Sequence, residues 1–178
     1  YVGNGTVLTL PDNYNGQSYE IYNYAFYNCS SLASIEIPNS VTSISSSAFY
    51  NCSSLTSIEI PDSVTSIGNY AFMGCTSLAT ITADENNQQY FSVNGILFNK
   101  NKTEILRYPE KKEGTRYKIP NTVTRICGSA FYGCRNLTNI DIPNKVTRIG
   151  SKAFFRCSNL QSIQLPNTVT QIGFSAFD

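Results

Sequence analysis

Cysteines and carboxylates are the side chains with the widest chemical repertoire in this sequence, because histidine is absent. The 178 residues contain six cysteines and no histidine. Neither Ser-His-Asp nor Cys-His nucleophiles can therefore form, and acid–base catalysis by histidine is excluded. The cysteines also lack the clustered spacing that binds structural zinc. We predict no metal site and no cofactor.

A pair of carboxylates is the remaining route to acid–base chemistry. Glu36 and Glu59 stand 23 residues apart, at equivalent positions of a repeated phrase. Two carboxylates can act together as acid and base. An open, solvated surface does not provide the setting that tunes such groups for catalysis. We interpret both residues as exposed strand positions, and we predict that the protein has no catalytic residues and is not an enzyme.

Most of the cysteines share one position of the same repeat, namely Cys29, Cys52, Cys75, Cys134 and Cys157. An even number of cysteines allows a disulfide framework. Side chains at one position of stacked copies point in parallel rather than toward each other, which favours a column of small buried thiols. Cys127 lies outside this column, where other copies have Gly or Ser. The sequence leaves open whether any of the six forms a disulfide.

The repeated phrase is C-x-x-L-x-x-I-x-I-P-x-x-V-T-x-I-x-x-x-A-F, with a period of 23 residues. The I-x-I step alternates like a half-buried strand, and the following proline ends the strand and starts a turn. V-T-x-I is a second short extended piece, and the segment around Ala-Phe has the spacing of a short α or 3₁₀ turn. One copy cannot bury its apolar face alone, so this period indicates stacked coils.

The phrase resembles the BspA-like leucine-rich repeat family, found in surface proteins of bacteria and some protists. The resemblance is carried by CSSLTSIEIPDSVTSIGNYAF (52–72), CRNLTNIDIPNKVTRIGSKAF (134–154) and CSNLQSIQLPNTVTQIGFSAF (157–177). Residues 86–110 resemble the longer variant repeat of that family. We therefore expect an α/β fold: a right-handed leucine-rich repeat solenoid with parallel β-strands on its concave face and short helical or 3₁₀ turns elsewhere.

We predict a single leucine-rich repeat domain over residues 1–178. It divides into an irregular first coil (1–24), regular repeats (25–82), a variant repeat with a hairpin (83–118) and regular repeats (119–178). The hairpin is predicted from two β-rich runs around a polar Asn-Lys turn in GILFNKNKTEILRYP. Both LRYP (106–109) and YKIP (117–120) fit the I-x-I-P position, and they are too close together for one full coil each. The sequence leaves the choice open.

The residues between the inward-pointing isoleucines should form a column of exposed side chains along the concave sheet. Its members are Thr9, Glu36, Glu59, Thr82, Lys118, Asp141 and Gln164. Solenoids bind macromolecules through extended surfaces of this kind, so we take the column as a candidate binding surface. The alternative is that these side chains are merely polar residues that solvent tolerates.

Charge is distributed unevenly along the chain. Residues 1–99 hold seven acidic and no basic residues, whereas residues 100–178 hold thirteen basic and five acidic residues. Arg125 and Arg148 share one repeat position, and with Lys145 and Lys152 they predict a basic patch. Sulfated glycans and acidic protein segments are its candidate ligands. Nucleic acid is not expected, since no recognition motif accompanies the charge, and a solvated flank is the alternative.

The family resemblance implies a non-enzymatic protein–protein interaction module of a secreted or cell-surface protein. Its expected role is adhesion, with extracellular matrix, plasma or host-surface proteins, or other cells, as partners. The alternative is a passive structural spacer in a larger surface protein. No apolar run approaches the roughly 20 residues of a membrane span, and the first residues lack the pattern of a signal peptide. Both ends look cut from a longer protein, and we expect a monomer.

Overall fold

The computed structural model describes residues 5–178, which contain fifteen short β-strands and no helix. The strands are β1 (Val7–Thr9), β2 (Tyr19–Ile21), β3 (Ser34–Glu36), β4 (Val41–Ile44), β5 (Ser57–Ile60), β6 (Ser66–Ile67), β7 (Thr80–Ala83), β8 (Tyr90–Val93), β9 (Ile96–Asn99), β10 (Glu104–Arg107), β11 (Arg116–Lys118), β12 (Arg125–Ile126), β13 (Asn139–Asp141), β14 (Arg148–Ile149) and β15 (Gln171–Ile172). The first four residues of the predicted first coil lie outside this description.

The strands stack in two columns. The I-x-I strands form the first column, in which β1 pairs with β3, β5 with β7, and β11 with β13, all in parallel. The V-T-x-I strands form the second column, with β2, β4 and β6 in one sheet and β10, β12, β14 and β15 in another. Equivalent residues face each other, as in the pair of Ile58 with Ile81. The predicted parallel-strand solenoid is confirmed.

The predicted helical turns around Ala-Phe are wrong, because these segments are irregular turns. In each regular coil, the residue before Ala and the residue before Cys have a left-handed backbone. Ser47 (φ 57°) and Asn51 (φ 58°) are the examples in one coil. Such residues cannot belong to a right-handed helix. Instead, the main chain bonds to the next coil: the N–H of Phe49 donates to the carbonyl of Ala71 at 2.9 Å. We call this side of the solenoid the turn side.

Equivalent apolar side chains stack on one another through the interior. The rings of Phe26 and Phe49 are 5.0 Å apart and those of Phe49 and Phe72 are 5.8 Å apart. Leu55 and Leu78 are fully buried beside them. Each stacked ring pair adds about 0.5–1.5 kcal/mol beyond the burial of its area. A constant period is therefore favoured, because it keeps these columns in line.

No disulfide bond joins any two cysteines of residues 5–178. The thiols of Cys52 and Cys75 donate to the carbonyls of Phe26 and Phe49 in the preceding coil, at 3.0 and 3.1 Å. Cys157 makes the same kind of bond at 2.9 Å. Each of these carbonyls also accepts a main-chain N–H of its own coil, so the small thiol is a second donor to the same oxygen.

The regular stack is interrupted between β7 and β11 by an antiparallel meander of β8, β9 and β10. The β8–β9 hairpin turns at Asn94 (φ 50°) and Gly95 (φ 74°), as a two-residue type I′ turn requires. β9 is buried on both faces, since Leu97 packs into the N-terminal core cluster while Ile96 and Phe98 pack into the C-terminal one. The meander therefore forms the wall between the two halves of the core.

The structure decides which segment takes the I-x-I-P position. β11 pairs with β13, with Tyr117 opposite Ile140, so residues 117–120 occupy that position. Residues 106–109 instead begin within β10, which belongs to the second column. Ile105 pairs with Ile126, and Tyr108 stacks on Phe131. Two residues lie between these two positions in this coil, whereas four residues lie between them in the next coil.

Arg107 and Glu110 fill the space left by this shortened coil. The Nη2 of Arg107 donates to Glu110 Oε1 at 2.6 Å and to the carbonyl of Phe72 at 3.2 Å, and its Nη1 donates to the carbonyl of Ser129. Glu110 Oε1 also accepts the N–H of Gly74 at 2.8 Å. The two side chains are only 6% and 5% exposed. A buried ion pair thus replaces the main-chain bonds that join regular coils.

Candidate binding surfaces

Six members of the predicted column lie on the exposed side of the first column of strands, which we call the front face, and Gln164 lies just beyond the isolated bridge between Asn139 and Ser162. Strand alternation explains the placement: Ile58 and Ile60 are buried, so Glu59 points outward. Register brings the predicted residues together in pairs, namely Thr9 with Glu36, Glu59 with Thr82, and Lys118 with Asp141. Gln164 lines a shallow groove together with Asp141. Their role in binding stays a prediction.

The N-terminal half of the front face is acidic. Asp12, Glu36, Glu59 and Asp84 line one groove of about 530 Å³, and no lysine or arginine lines it. Thr9 donates its hydroxyl to Glu36 Oε2 at 3.2 Å. Within residues 5–178, no group of three or more His, Cys, Asp or Glu side chains is arranged to hold a metal ion. The groove therefore carries negative charge without a basic side chain in its lining.

The C-terminal half of the front face has mixed charge. Lys118 lies beside Asp141 in register, so the two opposite charges are neighbours. The β8–β9 turn lies beside the end of the N-terminal half, where the N–H of Ile81 donates to the carbonyl of Gly95 at 3.0 Å. The front face is thus divided into an acidic part and a mixed part.

The structure brings three of the four predicted basic-patch residues to one region. Arg125 and Arg148 are paired on β12 and β14. Lys152 follows in the next turn, with its Nζ 5.9 Å from the centre of the Tyr70 ring. Lys145 lies instead in the turn that precedes β14, where the N–H of Val146 bonds to the carbonyl of Pro143. The charge of Lys145 therefore lies at a different place on the coil from the charges of the other three residues.

Two features of this region escape the sequence reasoning. Tyr70 belongs to a coil that is distant in sequence, yet it lines the same groove as Arg125 and Arg148. Arg107 looks like an ordinary basic residue in the sequence but is buried at the interruption. The only sequence sign of either feature is the broken period between Ala83 and Lys118.

Cys127 is not an activated nucleophile. Burial raises the pKa of its thiol to about 12, and the nearby Glu104 carboxylate, 3.7 Å from Sγ, acts in the same direction. Burial likewise holds the pKa of Cys134 well above its usual value. Because the thiolate is the reactive species, both residues are inert near neutral pH.

Comparison with known proteins decides the family. The sequence model of the BspA type leucine rich repeat region matches residues 6–113 and 108–178, in six copies. The chain belongs to the BspA-type leucine-rich repeat family. Repeat solenoids of the leucine-rich type are typically non-catalytic interaction scaffolds, with extended surfaces rather than closed pockets. Within residues 5–178, no helix is long and apolar enough to cross a membrane.

Solved structures similar to this BspA-type chain include three bacterial proteins. A leucine-rich repeat protein from Eubacterium ventriosum is 33% identical over 85% of this chain and 40% of its own, with a TM-score of 0.74. A leucine rich cell surface protein from Faecalibacterium prausnitzii is 30% identical over 93% and 49%, with a TM-score of 0.75. The pneumococcal vaccine antigen PcpA is 26% identical over 94% and 46%, with a TM-score of 0.83.

This chain therefore spans less than half the length of each of these three proteins. A search of the curated proteins gave no match.

Proposed function

We propose that this BspA-type solenoid is a non-enzymatic adhesion module of a secreted or cell-surface protein, and that its front face binds a host matrix or surface protein. The observation that carries the proposal is the column of exposed polar side chains on strands whose alternate residues are buried. Such a surface is extended and flat, which fits a macromolecule better than a small ligand. The similarity to a cell surface protein supports the location.

The acidic groove specifies the charge of the partner. Glu36 and Glu59 lie on β3 and β5, which run side by side, and Asp12 and Asp84 flank them in the same groove. Among residues 5–178, no lysine or arginine lines that groove. The contacting segment of the partner should therefore carry lysine or arginine, because complementary potentials speed association and exclude wrong partners.

A binding panel tests this proposal. Immobilised fibronectin, fibrinogen and laminin are probed with the protein and with the double variant Glu36→Gln/Glu59→Gln. The variant should bind the responding protein at least about tenfold more weakly, which corresponds to about 1.4 kcal/mol. Binding by the unaltered protein should also weaken as salt rises. Glu20→Gln/Glu113→Gln is the matched control, because it removes the same two charges from exposed carboxylates outside the groove.

Two results would count against the proposal. If no matrix protein binds, or if the double variant binds as tightly as the control, the front face is not the contact surface and a passive spacer becomes the better interpretation. Thermal unfolding must accompany the assay. Exposed substitutions should change stability by less than about 0.5 kcal/mol, so lost binding cannot then be attributed to misfolding.

The surface location has its own test. Intact cells of the source organism, treated with a protease that cannot enter them, should lose the protein from an immunoblot. A cytoplasmic protein in the same cells is the control and should remain. Full protection of the repeat protein would contradict the proposed location.

A further inference from the structure

The shortened coil at Arg107 leaves a groove that the proposed front-face function does not use. Its inner end has a volume of about 200 Å³ and lies among the coils of β6, β10 and β12. Its outer part has a volume of about 650 Å³ and extends along β12, β14 and β15. Both parts are lined by Asn69, Tyr70, Arg125 and Gly128, so they form one continuous depression, which we call the seam groove.

The inner end contains hydrogen-bond donors that have no acceptor in the described structure. In a regular coil, the N–H of Phe49 donates to the carbonyl of Ala71 in the next coil. The N–H of Phe72 is the equivalent group, and neither it nor the N–H of Tyr70 has an acceptor within residues 5–178. The Nε of Arg107, a side chain that is 6% exposed, is also buried without a partner. Residues that bear all three unpaired donors line the inner end, and donors without an acceptor favour an oxyanion.

The outer part adds positive charge. Arg125 and Arg148 lie side by side on parallel strands, about 4.8 Å apart. Glu104 lines the inner end of the groove, and its Oε1 lies 3.3 Å from Arg125 Nη1. Among residues 5–178, no carboxylate lies within ion-pair distance of Arg148. One arginine is therefore partly neutralised, and the other is available to a ligand.

The other residues that line the groove indicate which type of molecule bears the anionic group. Gly128, Gly150 and Gly173 follow one another along the floor, which leaves the groove flat and without side chains there. Thr170 and Gln171 supply neutral hydrogen-bonding groups. Apolar side chains also line the groove, among them Phe72, Leu97 and Leu106 at the inner end and Ile149 and Ile172 in the outer part. A flat floor, neutral polar groups, an exposed tyrosine ring and arginines suit a sugar ring that carries anionic substituents.

We propose that the seam groove binds a sulfated saccharide. One sulfate occupies the inner end, where it accepts hydrogen bonds from the N–H groups of Tyr70 and Phe72 and from Arg107. A second sulfate pairs with Arg148, and the sugar ring between them lies over the glycine floor beside Tyr70. This site is separate from the acidic groove of the front face, so the two proposals can fail independently.

Titration calorimetry with a heparin-derived hexasaccharide tests the proposal on the whole chain. Arg148→Gln should weaken binding about tenfold, as expected when one charge-assisted contact is lost. Lys145→Gln is the matched control: it removes the same charge from the same half of the chain but lies outside the groove, and it should change the affinity by less than about twofold. Equal losses in the two variants would show that binding follows net charge, and the site would be wrong.

Two further arms address the ligand and the inner end. The desulfated hexasaccharide should not bind, and polyglutamate should bind at least about tenfold more weakly than the sulfated ligand. Equal binding of either one overturns the assignment of a sulfated saccharide. In amide NMR spectra, the N–H signals of Tyr70 and Phe72 should shift during the titration, and unmoved signals would exclude the inner end as the sulfate site. Glu36→Gln/Glu59→Gln should bind the saccharide normally, which separates this test from that of the front face.

Discussion

Replacement of the buried arginine at the interruption gives the sharpest test of the fold. Arg107→Met keeps most of the volume of the side chain but leaves Glu110 with an uncompensated charge in a site where it is 5% exposed. The variant also removes the N–H groups of Arg107 that donate to the carbonyls of Phe72 and Ser129. Removal of one partner of a buried ion pair costs about 3–5 kcal/mol. We expect Arg107→Met to lower the free energy of unfolding by that amount.

Equilibrium unfolding in urea, followed by circular dichroism, measures this loss. Because Arg107 joins the coils on either side of the wall between the two core clusters, the variant should also unfold less cooperatively, with a lower m-value or two resolved transitions. Arg125→Met is the control. It breaks the other ion pair of the described residues, whose arginine side chain is 47% exposed, and should cost less than about 1 kcal/mol.

A double variant separates charge from lost hydrogen bonds. Arg107→Met combined with Glu110→Leu leaves no buried charge, so part of the stability should return. Recovery should be incomplete, because the N–H of Gly74 then also lacks its acceptor, and an unpaired buried group costs about 1–3 kcal/mol. If Arg107→Met unfolds at the same urea concentration as Arg125→Met, the buried pair does not hold the two halves together and this account of the interruption is refuted.

Three further outcomes are expected. Gly150→Ala should destabilise the protein by about 1–3 kcal/mol in urea unfolding, because the added Cβ would lie 2.4 Å from the nitrogen of Gly128. Gly128→Ala should have little effect, because the atom nearest to its added Cβ, the carbonyl oxygen of Ser151, is 3.4 Å away. Iodoacetamide labelling followed by mass spectrometry should find Cys127 unreactive near pH 7, with a rate that rises only toward its pKa of about 12; rapid labelling at pH 7 would contradict the burial of this thiol. Burial raises the pKa of Tyr108 to about 12 and that of Cys134 well above its usual value, so both groups keep their protons in the folded state at a pH where the unfolded chain has lost them. The two groups therefore contribute their full stabilisation below the pKa values of the unfolded chain, and this contribution is lost as the pH rises from about 9 toward 12. A urea midpoint that stays constant to about pH 11 would show that folding does not change the pKa values of these groups.

The regular part of the fold could be predicted because local and tertiary signals coincide in it. The 23-residue spacing of Ile58 and Ile81 determines which side chains are buried and which strands are neighbours. The turn side could not be predicted in the same way. Helical spacing around Ala-Phe is compatible with a short helix, whereas the left-handed backbone at Ser47 and Asn51 depends on hydrogen bonds to the adjacent coil.

The interruption shows the same limit more strongly. The Asn94-Gly95 turn was readable from the sequence, since that dipeptide between apolar runs is a strong hairpin signal, and our sequence reasoning missed it. The main-chain partners of Arg107, the carbonyls of Phe72 and Ser129, were not readable, because they belong to coils that come together only after the meander is placed. Tyr70 was missed as part of the seam groove for the same reason.

The bonds between coils have a consequence for how such a protein can change in length. Each regular unit offers its neighbour the same acceptors, the same ring face and the same thiol, so a whole 23-residue unit can be duplicated or deleted without leaving a mismatched junction. Unequal recombination between near-identical repeats would produce such changes, and each one would lengthen or shorten the molecule by about 4.8 Å. A change of any other size breaks this match, and at the interruption the ion pair of Arg107 and Glu110 fills the mismatch between coils.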